Sequence, residues 1–222
     1  MKVAVVKNIL DANDRIAAEN RLLFDQNKLF VVNLMSSPGA GKTTLLEELG
    51  KALSDRLKIG VVEGDIQSSL DAERVAEAGL AAVQIETDGA CHLDANMIRT
   101  SLNDLDLGSL DLLVIENVGN LVCPAEFNVG EDCKAMLLSV TEGDDKPFKY
   151  PLMFKESKVL LISKVDLVPY VRCDVDKIRK AALAINLDIA IIEISSYTGQ
   201  GLEEWHNWLS SQVSQKQGRQ QE

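Results

Sequence analysis

The stretch Ser36-Ser37-Pro38-Gly39-Ala40-Gly41-Lys42-Thr43-Thr44 decides the fold. The apolar run Leu29-Phe30-Val31-Val32-Asn33-Leu34-Met35 precedes it, and Leu45-Leu46-Glu47-Glu48-Leu49 follows. The order is strand, glycine-containing loop, helix. Such a loop wraps a phosphate chain: its amides point inward, the new helix offers its positive end, and Lys42 adds a full charge. Gly39, Ala40, Gly41, Lys42, Thr43 and Thr44 are therefore the phosphate-binding candidates. Thr43 is placed to put its hydroxyl on a magnesium ion. The usual pattern opens with Gly where this chain has Ser36, so Ser36 fits only with ordinary backbone angles. A plain strand–helix turn would need no lysine at its tip.

Outward from the loop, apolar runs alternate with amphipathic segments. The patterns predict strands over Phe30–Met35, Lys58–Glu63, Ala82–Glu86, Leu110–Glu116, Ala135–Thr141, Lys158–Ser163 and Ile189–Ile194. Helices are predicted over Gly41–Arg56, Leu70–Ala78, Leu93–Leu105, Val175–Ile185 and Leu202–Gln215. The strands lack alternation, so they should be buried on both faces. That implies an α/β fold, a mostly parallel sheet with helices on both faces. One domain over residues 1–222 is expected, with an N-terminal helical extension in 1–28 and a frayed polar tail in 214–222. The formal charge of −11 repels nucleic acid and anionic membrane, and no basic patch overrides it. No apolar stretch is long enough to span a bilayer, and Met1–Lys7 is too short and too soon charged for a signal peptide. The expected place is the cytoplasm, with Cys91, Cys123, Cys133 and Cys173 as reduced thiols. No Cys-x-x-Cys spacing occurs among them, which excludes a zinc ribbon or a dithiol redox motif.

Ligands of open α/β sheets sit at the carboxyl ends of strands. There the chain places Asp65, beside the phosphate loop, for the magnesium shell or a catalytic water. It also places Glu116, followed by Asn117-Val118-Gly119. A carboxylate there, with a glycine three residues on, resembles a sensor of the terminal phosphate, Gly119 offering its N–H. Lys42, Asp65 and Glu116 form the expected catalytic set. Ser163-Lys164-Val165-Asp166 stands where guanine-binding proteins carry Asn-Lys-x-Asp. The Asp166 carboxylate would take the guanine ring N–H and exocyclic amine, and the Lys164 stem would cover the ring. Adenine lacks those donors, so GTP is preferred over ATP. Ser195-Ser196-Tyr197 resembles the last base-contacting loop, where a backbone amide meets the guanine oxygen.

One further constellation stands apart. Cys91 and His92 fall between a predicted strand and the helix start at Leu93, and Cys123 lies four residues after Gly119. Thiolate and imidazole suit zinc, nickel or copper(I), and a helix start would help ionise Cys91. Spacing alone leaves this reading level with one in which both cysteines are small core residues and His92 a cap. Three ligands per chain fall short of a closed tetrahedral site, which favours a site shared between two chains or an open one. Cys133, Cys173 and His206 read as structural.

Taken together, these residues resemble the hydrogenase nickel-insertion GTPases, the HypB family. The resemblance rests on Ser36–Thr44, Glu63-Gly64-Asp65, Cys91-His92-Leu93-Asp94, Ile115–Pro124 and Thr141–Pro147. It implies a P-loop NTPase fold of the SIMIBI-like GTPase type and conversion of GTP to GDP and phosphate with magnesium. It implies a GTP-dependent homodimer holding nickel or zinc through Cys91, His92 and Cys123 at the subunit contact. The implied partners are a nickel accessory protein and the hydrogenase large subunit. With no Cys in Met1–Leu10 and only His92 and His206, the resemblance is to a form lacking a cysteine-rich N-terminal motif and a histidine-rich tract. Competing readings are a urease-type accessory GTPase, a nucleotide-dependent scaffold and a phosphate-transferring kinase. Cys91-His92 and Thr141–Pro147 speak against the first, and Lys164 with Asp166 against the last.

Overall fold

The computed structural model describes residues 8–65 and 70–218; the side chains at 8, 9, 65 and 70 fall outside the description. Seven strands form one sheet: β1 (Phe30–Ser36), β2 (Ile59–Asp65), β3 (Ala81–Glu86), β4 (Leu112–Glu116), β5 (Cys133–Ser139), β6 (Ser157–Ser163) and β7 (Ala190–Glu193). Their order is β3-β2-β4-β1-β5-β6-β7, and every pairing is parallel. The loop-bearing strand β1 therefore lies at the centre. It is buried along its whole length, as is β4, as the absence of alternation requires.

Successive residues of each strand face opposite layers. Val32, Leu34, Val61, Leu112, Val114, Leu137 and Leu161 pack under α2 (Lys42–Leu53), α3 (Leu70–Glu77) and α9 (Leu202–Gln217). On the other face, Val31, Val62, Leu113 and Ile115 meet α1 (Asn8–Gln26) and α4 (Ala95–Ser101). Met136, Leu138, Leu160 and Ile162 meet α7 (Pro151–Glu156) and α8 (Val175–Ile185). Each large apolar side chain buried this way contributes roughly 1.5–3 kcal/mol. The helix α1 is bound into this arrangement by amides: Asn20 Nδ2 donates to the Ala95 and Val129 carbonyls at 2.8 and 3.2 Å, and Asn13 Oδ1 accepts from Ala95 N at 2.9 Å.

Several boundaries differ from the sequence reading. The strand expected to reach Thr141 ends at Ser139, because Ser139 and Glu142 form a reciprocal capping box around the turn Val140–Glu142. The strand expected from Leu110 begins at Leu112, after a tight turn at Leu107–Ser109. The helix expected over Leu93–Leu105 is shorter. Asp94 caps α4 by accepting from Met97 N, and Leu102–Asp104 is a separate tighter turn. Cys91 and His92 therefore sit in a loop before the cap and not at a helix start. The tail expected to fray from Ser214 continues α9 to Gln217. Lys216 pairs there with Asp25 and Asp132, and Gln217 Nε2 donates to Asp111 at 2.7 Å. Short helices α5 (Cys123–Glu126) and α6 (Lys146–Lys149), with α7, were not expected; each has Pro at its first or second position.

Candidate nucleotide and metal site

The phosphate loop leaves the carboxyl end of β1 at Ser36. That residue is fully buried, in extended strand geometry, so the substitution for Gly brings no backbone strain. Gly39 and Gly41 do take positive φ, 73° and 105°, which bends the chain around the space above. Gly41 precedes α2 without a side-chain cap, leaving the first-turn amides of that helix directed at the loop. Lys42 Nζ donates to Ser36 Oγ at 3.1 Å and lies 3.8 Å from Glu116 Oε1. The cation is thus held over the loop before any ligand arrives. Glu142 reaches from the capping box to accept a hydrogen bond from Ser37. A cavity of about 480 Å³ opens here, lined by Gly39, Gly41, Lys42, Thr43, Glu116 and Gly119, among others.

At the back of the cavity two carboxyls meet. Glu63 and Glu116 are register partners on β2 and β4, 2% and 5% exposed. Thr43 Oγ1 donates to Glu116 Oε1 at 3.2 Å. Glu63 Oε1 and Glu116 Oε2 are buried and face no donor among the described residues. Burial first, then the charge of Glu116 beside it, pushes Glu63 up to about 10. Burial also raises Glu116, against the pull of Lys42. Two adjacent buried carboxyls cannot both ionise alone, so this pair retains a proton. Orphaned carboxylate oxygens beside a threonine hydroxyl are a donor set for a hard divalent cation. Glu63 did not stand out as a site residue in the sequence, where it reads as the polar end of a buried strand. Asp65 ends β2, but its side chain lies outside the described residues.

Gly119 lies against the loop. A Cβ there would come within 2.8 Å of Pro38 N and 2.9 Å of Pro38 Cα, so only Gly permits the approach. Arg74, also unexpected, lines the same cavity, bound to Glu47 at 2.8 Å and Asp71 at 3.0 Å.

A second cavity of about 220 Å³ adjoins the first and collects the base candidates Lys164, Asp166, Ser195, Ser196 and Tyr197 with Ala40 and Thr44. Lys164 takes a positive φ of 59° and donates to Gly39 O at 2.7 Å, tying the base loop to the phosphate loop. Ser163, at the position of the usual Asn, also ties this loop to the phosphate loop: its hydroxyl donates to Ala40 O at 2.9 Å. Ser195 braces its own loop, donating N–H to Gln200 O at 2.9 Å and accepting from Thr198 N at 3.2 Å. That leaves Ser196 and Tyr197 nearest to the role foreseen for all three.

The structure brings Cys91, His92 and Cys123 together, with donor atoms within 4.8 Å of one another. Cys91 Sγ lies 3.0 Å from Cys123 Sγ and 3.5 Å from His92 Nδ1. Cys91 is exposed and the other two are half-buried. The hydrogen bond from Cys91, and then burial, raises the Cys123 thiol. Burial lowers His92, which favours the neutral imidazole that a ligand must be, and its ring centroid lies 3.8 Å from that of Phe127, tilted by 34°. A soft or borderline cation would displace the thiol protons and find two sulfurs and one imidazole. Cys133 lies apart, half-buried against the core; burial pushes its thiol up to about 12, which suits an unreactive thiol.

The model of the CobW/HypB/UreG nucleotide-binding domain matches residues 30–193. This chain belongs to the CobW/HypB/UreG family. Within that family it is a P-loop GTPase of the HypB type. It is 49% identical over 205 residues to the hydrogenase maturation factor HypB of Escherichia coli (strain K12), covering 92% of this chain and 71% of the relative. The crystal structure of HypB from Helicobacter pylori in complex with nickel superposes with a TM-score of 0.88 at 41% identity, covering 92% of this chain and 96% of that one. The hydrogenase maturation factor HypB from Archaeoglobus fulgidus gives a TM-score of 0.87, also at 41%, over 92% and 100%. Among the described residues of this CobW/HypB/UreG member, no helix is long and apolar enough to cross a membrane.

Proposed function

We propose that this chain is a GTP-hydrolysing metallochaperone that carries nickel to a nickel–iron hydrogenase large subunit during assembly of its metal centre. It works as a homodimer drawn together by GTP, beside a nickel accessory protein, in the cytoplasm, and residues 1–222 act as one unit. The supporting observation is the position of Cys123. It follows by four residues the glycine that touches the phosphate loop, and its sulfur lies 3.0 Å from Cys91. A change at the terminal phosphate therefore reaches a cargo ligand through one short segment. The relatives named above support the choice of nickel as cargo; zinc fits the same donors.

In this reading the amides of Gly39–Thr44 cradle the phosphates. Lys42 releases Ser36 to bridge the β and γ phosphates. Asp166 and Lys164 select guanine, and the amides of Ser196 and Tyr197 face its oxygen. Thr43 and Glu116, with Glu63 and Asp65, would hold magnesium. Magnesium bound there neutralises charge developing on the phosphate oxygens. Gly119 N–H meets the γ phosphate, and its loss on hydrolysis frees the Gly119–Cys123 segment. Cys91, His92 and Cys123 hold nickel at a contact where Val122, 48% exposed, offers an apolar rim to the second copy.

The test is nickel binding with and without a slowly hydrolysed GTP analogue, on wild type and Cys123→Ala, read by mass and thiolate-to-nickel absorption. Nucleotide-dependent dimers with a band absent from the variant are expected. Nickel binding indifferent to Cys123 would overturn the cargo assignment.

A further inference from the structure

Beside the cargo cluster, a line of buried amides runs from the loop that carries His92 across β4 and β1. Asn117, 1% exposed, directly follows Glu116 at the end of β4. Its Oδ1 accepts from Leu93 N and from Val118 N, both at 3.0 Å. Its Nδ2 donates to Asn33 Oδ1 at 3.1 Å, on the phosphate-loop strand. Asn33 Nδ2 in turn points to Glu131 Oε1 at 3.5 Å. The polarity of this line is fixed. Its far end is a carboxylate that only accepts, and its near end is a pair of backbone N–H groups that only donate. Neither amide can turn over without leaving a buried group unsatisfied.

Leu93 is the residue after His92. On its other side, Ala95 is held from α1 by Asn13 at 2.9 Å and Asn20 at 2.8 Å. The Cys91–Leu93 loop thus hangs between a fixed point at Ala95 and the side chain of Asn117, whose backbone continues into the segment touching the phosphate loop. A parallel strut, Asn120, donates to Cys91 O at 3.1 Å and accepts from Val122 N at 2.9 Å.

We infer that Asn117 is the positioning residue through which the nucleotide pocket and the cargo cluster sense each other. It does so by making the position of the Cys91–His92 loop depend on that of the Glu116–Gly119 turn. This rests on the GTP-gated carrier reading above. When the turn shifts with nucleotide state, Oδ1 carries Leu93 N–H with it, and the imidazole of His92 moves relative to Cys123. The energy follows the pairing rule for coupled sites: whatever nucleotide does to cargo affinity, cargo does to nucleotide affinity.

Two measurements on the full chain test this. The first is nickel affinity in the presence of GDP and of a slowly hydrolysed GTP analogue, for wild type and Asn117→Ala. Coupling of this kind is typically about 5- to 150-fold, and Asn117→Ala is expected to bring the ratio of the two affinities to about one. A purely structural loss would weaken both affinities equally and leave the ratio standing. The second, needing no substitution, is exchange of the Leu93 amide hydrogen in the two nucleotide states of the wild type, expected to differ. A responsive wild type with an equally responsive Asn117→Ala, or Leu93 exchange identical in both states, overturns this inference alone. A wild type whose nickel affinity ignores nucleotide overturns the gated-carrier reading, and this inference with it.

Discussion

Replacing Glu63 with Gln removes a proton from the interior, and the effect has a definite sign. In the nucleotide- and magnesium-free protein, burial and Glu116 hold the Glu63 carboxyl protonated up to about pH 10, against an ordinary value of 4.5. Over that window the folded chain binds one proton more than the unfolded chain. This contribution to stability is complete below about pH 4.5 and is lost as pH rises toward 10. One proton gives a slope of about −1.4 kcal/mol per pH unit, hence about 2.7 kcal/mol between pH 6 and 8. Glu63→Gln lacks the titrating group. The part of the slope that comes from Glu63 is then absent, while Glu116 keeps its neighbour Lys42, 3.8 Å away. Urea unfolding at several pH values, comparing wild type with Glu63→Gln in chelator, reads the difference directly. At an m-value of roughly 2–3 kcal/mol/M, the wild-type midpoint should fall by about 1 M more than that of the variant. Magnesium should bind more tightly as pH rises, since it competes with that proton. Parallel pH profiles for the two proteins would refute the shared proton and the pairing of the two carboxyls with it.

Three further outcomes are expected. Gly119→Ala drives a Cβ into Pro38 at 2.8–2.9 Å, so unfolding free energy should drop by about 1–3 kcal/mol and GTP turnover by at least about tenfold; equal Tm and turnover would show that the contact yields freely. Asp166→Asn should weaken guanine nucleotides roughly 10- to 100-fold by titration calorimetry, through loss of a charged acceptor, and unchanged affinity would move the base out of the second cavity. Ser163→Ala loses the 2.9 Å bond to Ala40 O and should cost about 1 kcal/mol, visible in Tm and as a few-fold loss of GDP affinity; a neutral result would mean that Lys164 alone braces the loop.

The strands were legible because a sheet buried on both faces writes itself as continuous apolar runs, and Phe30–Met35 or Lys158–Ser163 need no tertiary information to be seen. Their ends were not, where a local side chain decides. The capping box Ser139–Glu142 stops β5, and Asp94 sets the start of α4. Both are recognisable signatures that the apolar pattern outweighed. The short helix Cys123–Glu126 falls below the length at which periodicity speaks, though Pro124 marks its first turn. Lys42, Thr43 and Asp166 stood out as candidates because each belongs to a short motif whose spacing is tied to a particular loop geometry. Glu63 and Asn117 were not, because their roles come from partners 53 residues downstream and 84 residues upstream respectively.

The central placement of β1 has a consequence for how such a protein can change over time. The candidate ligands Cys91 and Cys123 follow β3 and β4 on one flank of that strand, whereas the base candidates Lys164 and Ser195–Tyr197 follow β6 and β7 on the other. On the proposed reading, fuel identity and freight identity are thus written on opposite wings of a single sheet, joined at the phosphate loop. Substitutions that re-tailor the metal wing leave the guanine wing in place, so a lineage can acquire new freight while keeping its fuel.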